Sequence, residues 1–127
     1  MKDFAIELTH RPGELARVAE ALSRYGVNIK ALAGVAIDQH VVVRIIGDEA
    51  ESTRTALERA NIRFEEEEVV TVLLENRAGE LATISAKLAQ AGVNLRAIYL
   101  TGIVDDLVEV AIVADNPKKA RRAVEER

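Results

Sequence analysis

Two glycine loops and two asparagines recur at the same spacing in both halves of this sequence of 127 residues. Gly13 opens a predicted helix and Asn28 follows its end, and Gly79 and Asn94 repeat the arrangement 66 residues later. Glycine lets a backbone approach a ligand closely, and the first N–H groups of a helix favour a carboxylate. An asparagine amide can hold an ammonium group through its oxygen or a carboxylate through its nitrogen. These residue types could therefore bind a small zwitterion.

The two loci within one copy are too far apart to share such a ligand. The helix between Gly13 and Gly26 predicts a separation of about 20 Å at 1.5 Å per residue. A free amino acid spans about 5–7 Å, the length of two extended residues at most. If both loci bind, each ligand lies between two copies arranged head to tail, with Gly13 facing Asn94 and Gly79 facing Asn28. The alternative is that the glycines and asparagines only form turns.

The repeat also predicts the domain organisation. Between residues 11–29 and 77–95, nine of 19 positions are identical. A repeat of this kind indicates two structural copies. We therefore expect two modules, residues 1–66 and 67–127, related by a pseudo-twofold axis and sharing an interface.

Hydrophobic periodicity predicts the order β-α-β-β-α-β in the first copy. Apolar residues at i, i+3, i+4 and i+7 favour a helical stripe of Leu15, Val18, Ala19 and Leu22. The other expected elements are a strand around Phe4–Leu8, a hairpin Ile29–Ile37 with Val41–Ile46, a helix Glu49–Ala60 capped by Asp48, and a strand Ile62–Glu66.

The second copy repeats this order but ends after its second helix. Its expected elements are the strand Val69–Leu74, the helix Gly79–Ala91 with Leu81, Ile84, Ser85 and Leu88 inward, the hairpin Leu95–Val104 with Leu107–Val113, and the helix Pro117–Glu126. From Asp48 to Asp115 the offset is 67, so the second hairpin carries one extra residue.

The expected fold class is α+β, with two ferredoxin-like βαββαβ modules. Each module has an antiparallel sheet with its helices on one face, and the second module lacks its final strand. The apolar strand Val69–Leu74 would then expose an edge, which invites pairing with another strand. We expect that strand to come from the first copy or from a second chain, which makes a homodimer the expected assembly.

Composition excludes several partners. The net charge is −4 and the aromatic residues are two Phe and two Tyr, so the chain has neither the basic surface nor the stacking residues of a nucleic-acid-binding protein. The basic cluster Lys118, Lys119, Arg121 and Arg122 is interpreted as the solvated face of a helix. No apolar run is long enough to span a bilayer, and no signal peptide is predicted. With no cysteine, these features predict a cytoplasmic protein that binds no membrane.

The repeated residues resemble those of a known family. Pro12-Gly13-Glu14-Leu15-Ala16, an apolar helix and then Gly26-Val27-Asn28-Ile29 are similar to the ACT domain, and the second copy shows the same pattern. The ACT domain is a small ligand-binding regulatory module of enzymes of amino-acid metabolism. The resemblance covers both halves and implies a stand-alone tandem protein. It further implies a free amino acid between modules, held by the β1–α1 loop of one and the start of β2 of the other.

The resemblance assigns site residues to both copies. They are His10, Arg11, Pro12, Gly13, Glu14 and Leu15 with Asn28 and Ile29, and Asn76, Arg77, Ala78, Gly79, Glu80 and Leu81 with Asn94 and Leu95. His10 departs from the Asn or Asp that often precedes the proline by two residues, whereas Asn76 matches it. Ala78 departs from the proline itself. Glu14 and Glu80 favour the helix dipole but oppose a bound carboxylate.

The predicted function is an amino-acid-binding regulatory protein, a sensor of a free amino acid or a similar small metabolite. The alternative is a ligand-free dimerisation or docking module for a metabolic enzyme. An enzyme is not expected, because no nucleophile with a base and no phosphate-binding glycine loop is recognisable. Acylphosphatase-like hydrolases share the element order, but their Arg-rich phosphate loop is absent. Two histidines, His10 and His40, without patterned carboxylates predict no metal, and we expect no catalytic residue and no cofactor.

Overall fold

The computed structural model describes residues 1–125, which fall into two compact units, Met1–Glu67 and the residues from Glu68 onward. The elements of the first unit are β1 (Lys2–Thr9), α1 (Glu14–Arg24), β2 (Ile29–Ile37), β3 (His40–Gly47), α2 (Ala50–Arg59) and β4 (Glu65–Glu68). They form a four-stranded sheet in the order β2-β3-β1-β4. The two central pairs, β1 with β3 and β2 with β3, are antiparallel.

Both helices of the first unit pack on one face of its sheet. Alternate residues of β1, among them Phe4 and Ile6, are buried against Val18 and Leu22 of α1 and Leu57 of α2. Every second residue of the strand and the residues along one face of each helix are buried, and these faces pack together in a single core. The position of α1 across the sheet places its first turn at one end of the unit and Asn28 at the other.

The second unit repeats this layout with one strand fewer. Its elements are β5 (Val70–Glu75), α3 (Glu80–Gln90), β6 (Leu95–Val104), β7 (Leu107–Ala114) and α4 (Pro117–Glu125). They form an antiparallel sheet in the order β5-β7-β6. Its core gathers Val70, Leu88 and Ile112 with the small residues Ala120 and Ala123 of α4. The α+β class, the two antiparallel sheets and the missing final strand are confirmed for the residues described.

The one extra residue of the second hairpin is absorbed by a bulge. The register of β6 against β7 shifts between Leu100 and Gly102, whereas the matching part of β2 runs without a break. The hydroxyl of Thr101, the bulged residue, donates to the backbone oxygen and the carboxylate of Glu109. A bulge places two residues opposite one and lets the strands regain their register.

Several sequence-based expectations are wrong in detail. The last strand of the first unit is Glu65–Glu68 rather than Ile62–Glu66, because Ile62 is drawn into the core before the strand begins. Leu15 and Ala19 are exposed and Ala21 is buried instead, so the buried stripe of α1 begins one turn later than expected. Leu81 and Ser85 are likewise exposed in α3.

The helices are short. α1 and α3 have 11 residues each and α2 has 10. No helix within residues 1–125 combines the length and apolar character that crossing a membrane requires. The predicted helix end at Glu126 lies outside the described residues.

Candidate functional site

The glycine at the start of the first helix has the same left-handed backbone in both units. Gly13 has φ 89° and ψ −10°, and Gly79 has φ 91° and ψ −16°. Side chains other than hydrogen strain this conformation, which explains why both positions are glycine. Apart from the glycine and its two chain neighbours, no described residue has an atom within 4 Å of the position that a Cβ would take at either residue. The backbone is therefore open to close approach on this side.

Both helices also present their first N–H groups at this loop. The first bond within α1 runs from Arg17 N to Gly13 O at 3.1 Å, and its counterpart in α3 runs from Thr83 N to Gly79 O at 3.0 Å. The N–H groups before these bonds have no acceptor within the helix and carry partial positive charge, and in the second unit Glu80 N makes one long bond of 3.5 Å to Arg77 O in the loop. Each loop thus has the donors that a carboxylate requires.

The first-turn glutamates are turned toward arginines. The Glu14 carboxylate lies 3.8 Å from Arg11 and 3.6 Å from Arg17, and its side chain is only 13% exposed. In the second unit, Arg77 Nε donates to Glu80 Oε1 at 2.9 Å. Because the arginine charges offset the carboxylates, the glutamates oppose an incoming anion less strongly than the sequence alone indicates.

The asparagines at the other end of each unit are held by aspartates. Asn28 N donates to Asp48 Oδ1 at 3.2 Å and Asn28 Nδ2 donates to Asp48 Oδ2 at 3.3 Å. Asn94 makes the same two bonds to Asp115, at 3.1 and 3.3 Å. A backbone bond runs back from Asp48 N to Asn28 O at 2.9 Å, and from Asp115 N to Asn94 O at 3.0 Å.

These aspartates are site residues that the sequence analysis missed. Asp48 was expected to cap α2, but the cap position is Glu49, whose φ of −141° is extended. The carboxylate of Asp48 binds Asn28 instead, because the end of β3 places it beside the start of β2. The available signal was the recurrence of an aspartate after each hairpin, at Asp48 and Asp115.

Each glycine loop is bonded to the turn of its neighbouring hairpin. His10 N donates to Gln39 O at 3.0 Å, and Asn76 N donates to Asp106 O at 2.6 Å. His10 and Asn76 thus have the same backbone role although their side chains differ. The hairpin turn positions the loop in both units.

Exposed apolar side chains accompany both loci. Leu15 and Leu81 follow the glycines and are 50% and 58% exposed. Ile29 and Leu95 follow the asparagines and are 44% and 41% exposed. Each polar locus therefore has an apolar neighbour that a ligand or a facing module could cover.

Within each unit the candidate residues form two separate groups. His10, Arg11, Pro12, Gly13, Glu14 and Leu15 lie at the start of α1, and Asn28 and Ile29 lie beyond its end. Asn76, Arg77, Ala78, Gly79, Glu80 and Leu81 are separated in the same way from Asn94 and Leu95 by α3. The 11-residue helix between the groups is about 16 Å long. The pairing of Gly13 with Asn94 and of Gly79 with Asn28 stays a prediction.

The two histidines, His10 and His40, have different hydrogen-bond partners. His40 Nδ1 is 2.9 Å from Glu7 Oε1 on the exposed surface of the sheet, whereas His10 belongs to the glycine loop. In the described part of the chain, no three His, Cys, Asp or Glu side chains gather in a way that could hold a metal ion.

The sequence matches no protein-family model and none of the curated proteins. Solved structures do match it. A protein from Bacteroides thetaiotaomicron superposes with a TM-score of 0.86 at 23% identity, over 98% of this chain and 85% of that one. The regulatory subunit of aspartate kinase from Thermus thermophilus, in a ligand-free form, superposes with a TM-score of 0.66 at 20% identity, over 97% and 89% of the two chains.

A third match is a putative C-terminal regulatory domain of aspartate kinase from Porphyromonas gingivalis, with a TM-score of 0.58 at 20% identity over 97% of this chain and 88% of that one. At such identities the likeness concerns the fold. The fold is nevertheless the one that the repeated loop, helix and Gly-Val-Asn turn predict. The resemblance to the ACT family is thus confirmed in the fold, and the chain has the fold of a tandem ACT-domain protein.

Proposed function

We propose that this chain is a regulatory protein that binds a free amino acid, or a similar small metabolite, between two modules. One ligand lies between the Gly13 loop and Asn94, and the other between the Gly79 loop and Asn28. The observation that carries the proposal is the double recurrence of a left-handed glycine at a helix start and an asparagine held by an aspartate.

The two ends of the proposed site differ in charge preference. Helix N–H groups at the glycine loop favour the carboxylate of the ligand. At the other end, Asp48 and Asp115 accept from the amide nitrogens of Asn28 and Asn94, so the NH₂ group of each asparagine points toward its aspartate. The amide oxygen, aided by the negative charge nearby, is then the group that accepts from an ammonium.

Distance supports a ligand shared between modules. A helix of about 16 Å separates the two loci of one unit, which exceeds the length of a free amino acid. A facing module therefore completes each site. It comes from the same chain or from the second chain of a homodimer, and light scattering at micromolar concentration distinguishes one chain from two.

The solved relatives support a regulatory role. Two of them are a regulatory subunit and a regulatory domain of aspartate kinase. By analogy, this chain acts by binding a metabolite and transmitting that event to a metabolic enzyme, not by catalysing a reaction itself.

The test is a thermal-shift screen of the twenty amino acids. A ligand at 100 times its dissociation constant stabilises the folded chain by about 2.7 kcal/mol. The matched control for any ligand that is found is its analogue without the carboxylate, which should give a much smaller shift. If no amino acid changes the melting temperature at millimolar concentration, the proposal that the ligand is one of the twenty amino acids is wrong.

A second candidate function is a docking module that binds no ligand. It is favoured by the exposed apolar side chains near the hairpin turns, where Val35 and Ile37 are more than half exposed, as are Ile103 and Val104. Such a surface fits a protein partner. A chain that binds a metabolic enzyme but shows no shift with any amino acid would favour this second function.

A further inference from the structure

The last strand of the first unit is fastened by an arginine of α2. Arg54 Nε and Nη2 donate to the two carboxylate oxygens of Glu66, both at 2.7 Å. Such a two-bond pair between a guanidinium and a carboxylate is geometrically specific. It fixes β4 beside β1 at the edge of the sheet.

Two apolar residues ahead of Glu66 complete the attachment. Ile62 is 5% exposed within the core, and the ring of Phe64 packs edge-on against Phe4 with 5.3 Å between ring centres. The segment from 62 to 66 thus contributes apolar side chains at alternate positions, followed two residues later by the glutamate that Arg54 binds.

We call the edge of β1 together with Arg54, where residues 62–66 are held, the attachment site. In the second unit the equivalent edge of β5 carries no strand among the described residues. Among residues 1–125, β5 is bonded to β7 alone. A groove of about 550 Å³ runs beside β5, between the strand and the two helices. Its apolar lining includes Val72, Leu74, Ile84 and Val124, and its charged lining is Glu80, Lys87, Glu109 and Glu125. The attraction for an acidic segment therefore comes from the exposed basic residues of α4 and not from the groove itself. Val72 and Leu74 are equivalent to Ile6 and Leu8, which are fully covered in the first unit, whereas Val72 and Leu74 are only partly buried.

The arginine of the attachment site is present as well. After the hairpin the two copies are offset by 67 residues, and the buried pairs Thr53 with Ala120 and Ala56 with Ala123 confirm that α2 and α4 align at this offset. Arg121 therefore stands on α4 where Arg54 stands on α2. Arg121 is exposed.

The surroundings of Arg121 are more basic than those of Arg54. Lys118 replaces Glu51, and Arg122 replaces Thr55. All four basic residues of α4, Lys118, Lys119, Arg121 and Arg122, are exposed. Compared with α2, this helix attracts an acidic segment more strongly.

We propose that the open edge of β5 and Arg121 form a docking site for an extended segment of a partner protein. The segment adds a strand to the sheet, places two alternate apolar side chains in the groove, and presents a glutamate to Arg121 two residues further on. Strand addition supplies backbone bonds for affinity, and the pockets supply specificity. This occupant differs from the strand of the same chain or of a second chain that the sequence analysis expects at this edge. Residues 62–66 of either are already engaged by the core of their own unit and by Arg54.

The probe is a labelled peptide with the sequence of residues 61–68, Asn-Ile-Arg-Phe-Glu-Glu-Glu-Glu, titrated with the full chain and followed by fluorescence anisotropy. We expect saturable binding in which Arg121→Gln weakens affinity about tenfold, the loss of one charge-assisted pair. Arg122→Gln, which removes the same charge from the adjacent position, should change affinity less. Gln in the peptide at the position of Glu66 should weaken binding as much as Arg121→Gln.

Two further measurements separate strand addition from simple charge attraction. A scrambled peptide of the same composition should bind far more weakly, and the bound peptide should slow hydrogen exchange of amides in Val70–Glu75. Equal binding of the scrambled peptide, or equal effects of Arg121→Gln and Arg122→Gln, would overturn the proposal. So would a self-associated chain whose β5 amides are already protected without peptide, because a second copy would then occupy the edge.

Discussion

The Nδ2 atom of Asn28 lies 3.3 Å from Oδ2 of Asp48, and Asn94 and Asp115 reproduce this distance in the second unit. With the backbone bond from each aspartate N–H to its asparagine, the pairs close the open ends of the two hairpins. The sequence left open whether Asn28 and Asn94 form a turn or contact a ligand. The bonds to the aspartates fix the orientation of both amide groups. The structural role and the proposed binding role are compatible, because they use different atoms of the amide.

We expect Asp48→Ala to lower the free energy of unfolding by about 1 kcal/mol, since it removes two side-chain hydrogen bonds at an exposed site. Asn28→Ala should cost less, because it removes only the bond from Asn28 Nδ2 and keeps the bond from the backbone N of residue 28 to Asp48 Oδ1. The double variant should cost less than the sum, because both single changes break the bond from Asn28 Nδ2. Urea denaturation measures all three. Glu20→Ala, an exposed change on α1, serves as the control and should be nearly neutral. Strict additivity of Asp48→Ala and Asn28→Ala would contradict the coupling.

Ligand binding should separate the two proposed sites. Asn28→Ala should weaken the site of the Gly79 loop by about 1–3 kcal/mol, because the ammonium of the ligand loses its acceptor. Asn94→Ala should weaken only the site of the Gly13 loop. Titration calorimetry with an amino acid found in the thermal-shift screen measures both. Unchanged affinity at both sites in both variants would show that the asparagines do not contact the ligand.

We expect the effects of substitutions at Gly47 and Thr53 on the free energy of unfolding to be coupled. A Cβ on Gly47 would overlap the Thr53 hydroxyl and approach Val27, and Thr53 is fully buried. The second unit has Ala114 and Ala120 at the equivalent positions, so the larger residue sits on the strand and the smaller on the helix. Gly47→Ala should destabilise by about 1–3 kcal/mol through overpacking. Adding Thr53→Ala should recover much of this loss, and chemical denaturation would reveal a failure to recover it.

The pair of Arg54 and Glu66 should make stability depend on pH. The hydrogen bonds from Arg54 lower the pKa of Glu66 below its ordinary value of 4.5. A carboxylate whose pKa is lower in the folded state stabilises the fold above its unfolded pKa, and this contribution is lost as pH falls through the folded pKa.

Arg54→Gln should therefore lower the melting temperature at pH 7, and the difference from the parent should shrink as pH drops below about 4. Arg59→Gln, an exposed change near the end of the same helix, is the matched control. A difference between parent and Arg54→Gln that is constant from pH 7 to pH 3 would show that ionised Glu66 contributes nothing.

Much of the fold follows from local pattern. The alternation around Phe4 and Ile6 and the hairpin of Ile29–Ile37 with Val41–Ile46 are each fixed by a few neighbouring residues, and both were predicted. The predictions were wrong where contacts with residues distant in the sequence determine a side chain's partner or its burial. Asp48 was predicted to cap the adjacent helix α2, but its side chain accepts hydrogen bonds from Asn28, 20 positions away. Leu15 fits the apolar period of α1 but lies in the exposed first turn, because the core contacts begin at Val18.

The candidate site was predictable as two groups of residues but not in its details. The repeat located Gly13 and Asn28 and their counterparts, since identical residues at one offset need no knowledge of the fold. The orientation of Glu14 toward Arg11 and Arg17 depends on side-chain rotamers, which no spacing specifies. The bond from His10 N to Gln39 O likewise requires that β1 and β3 be neighbours.

Each hairpin is fastened at both ends, at its turn to the glycine loop and at its base through the pair of asparagine and aspartate. The hairpin therefore sets the distance between the glycine loop and the asparagine of its own unit, which contribute to two different proposed sites. The bulge at Thr101 keeps this distance the same in both units. It absorbs the extra residue of β6, which is one residue longer than β2, so that β3 and β7 have eight residues each. Insertions in this protein would be tolerated on the bulged strand, whereas a residue added to β3 or β7 would change the spacing that sets where a ligand fits.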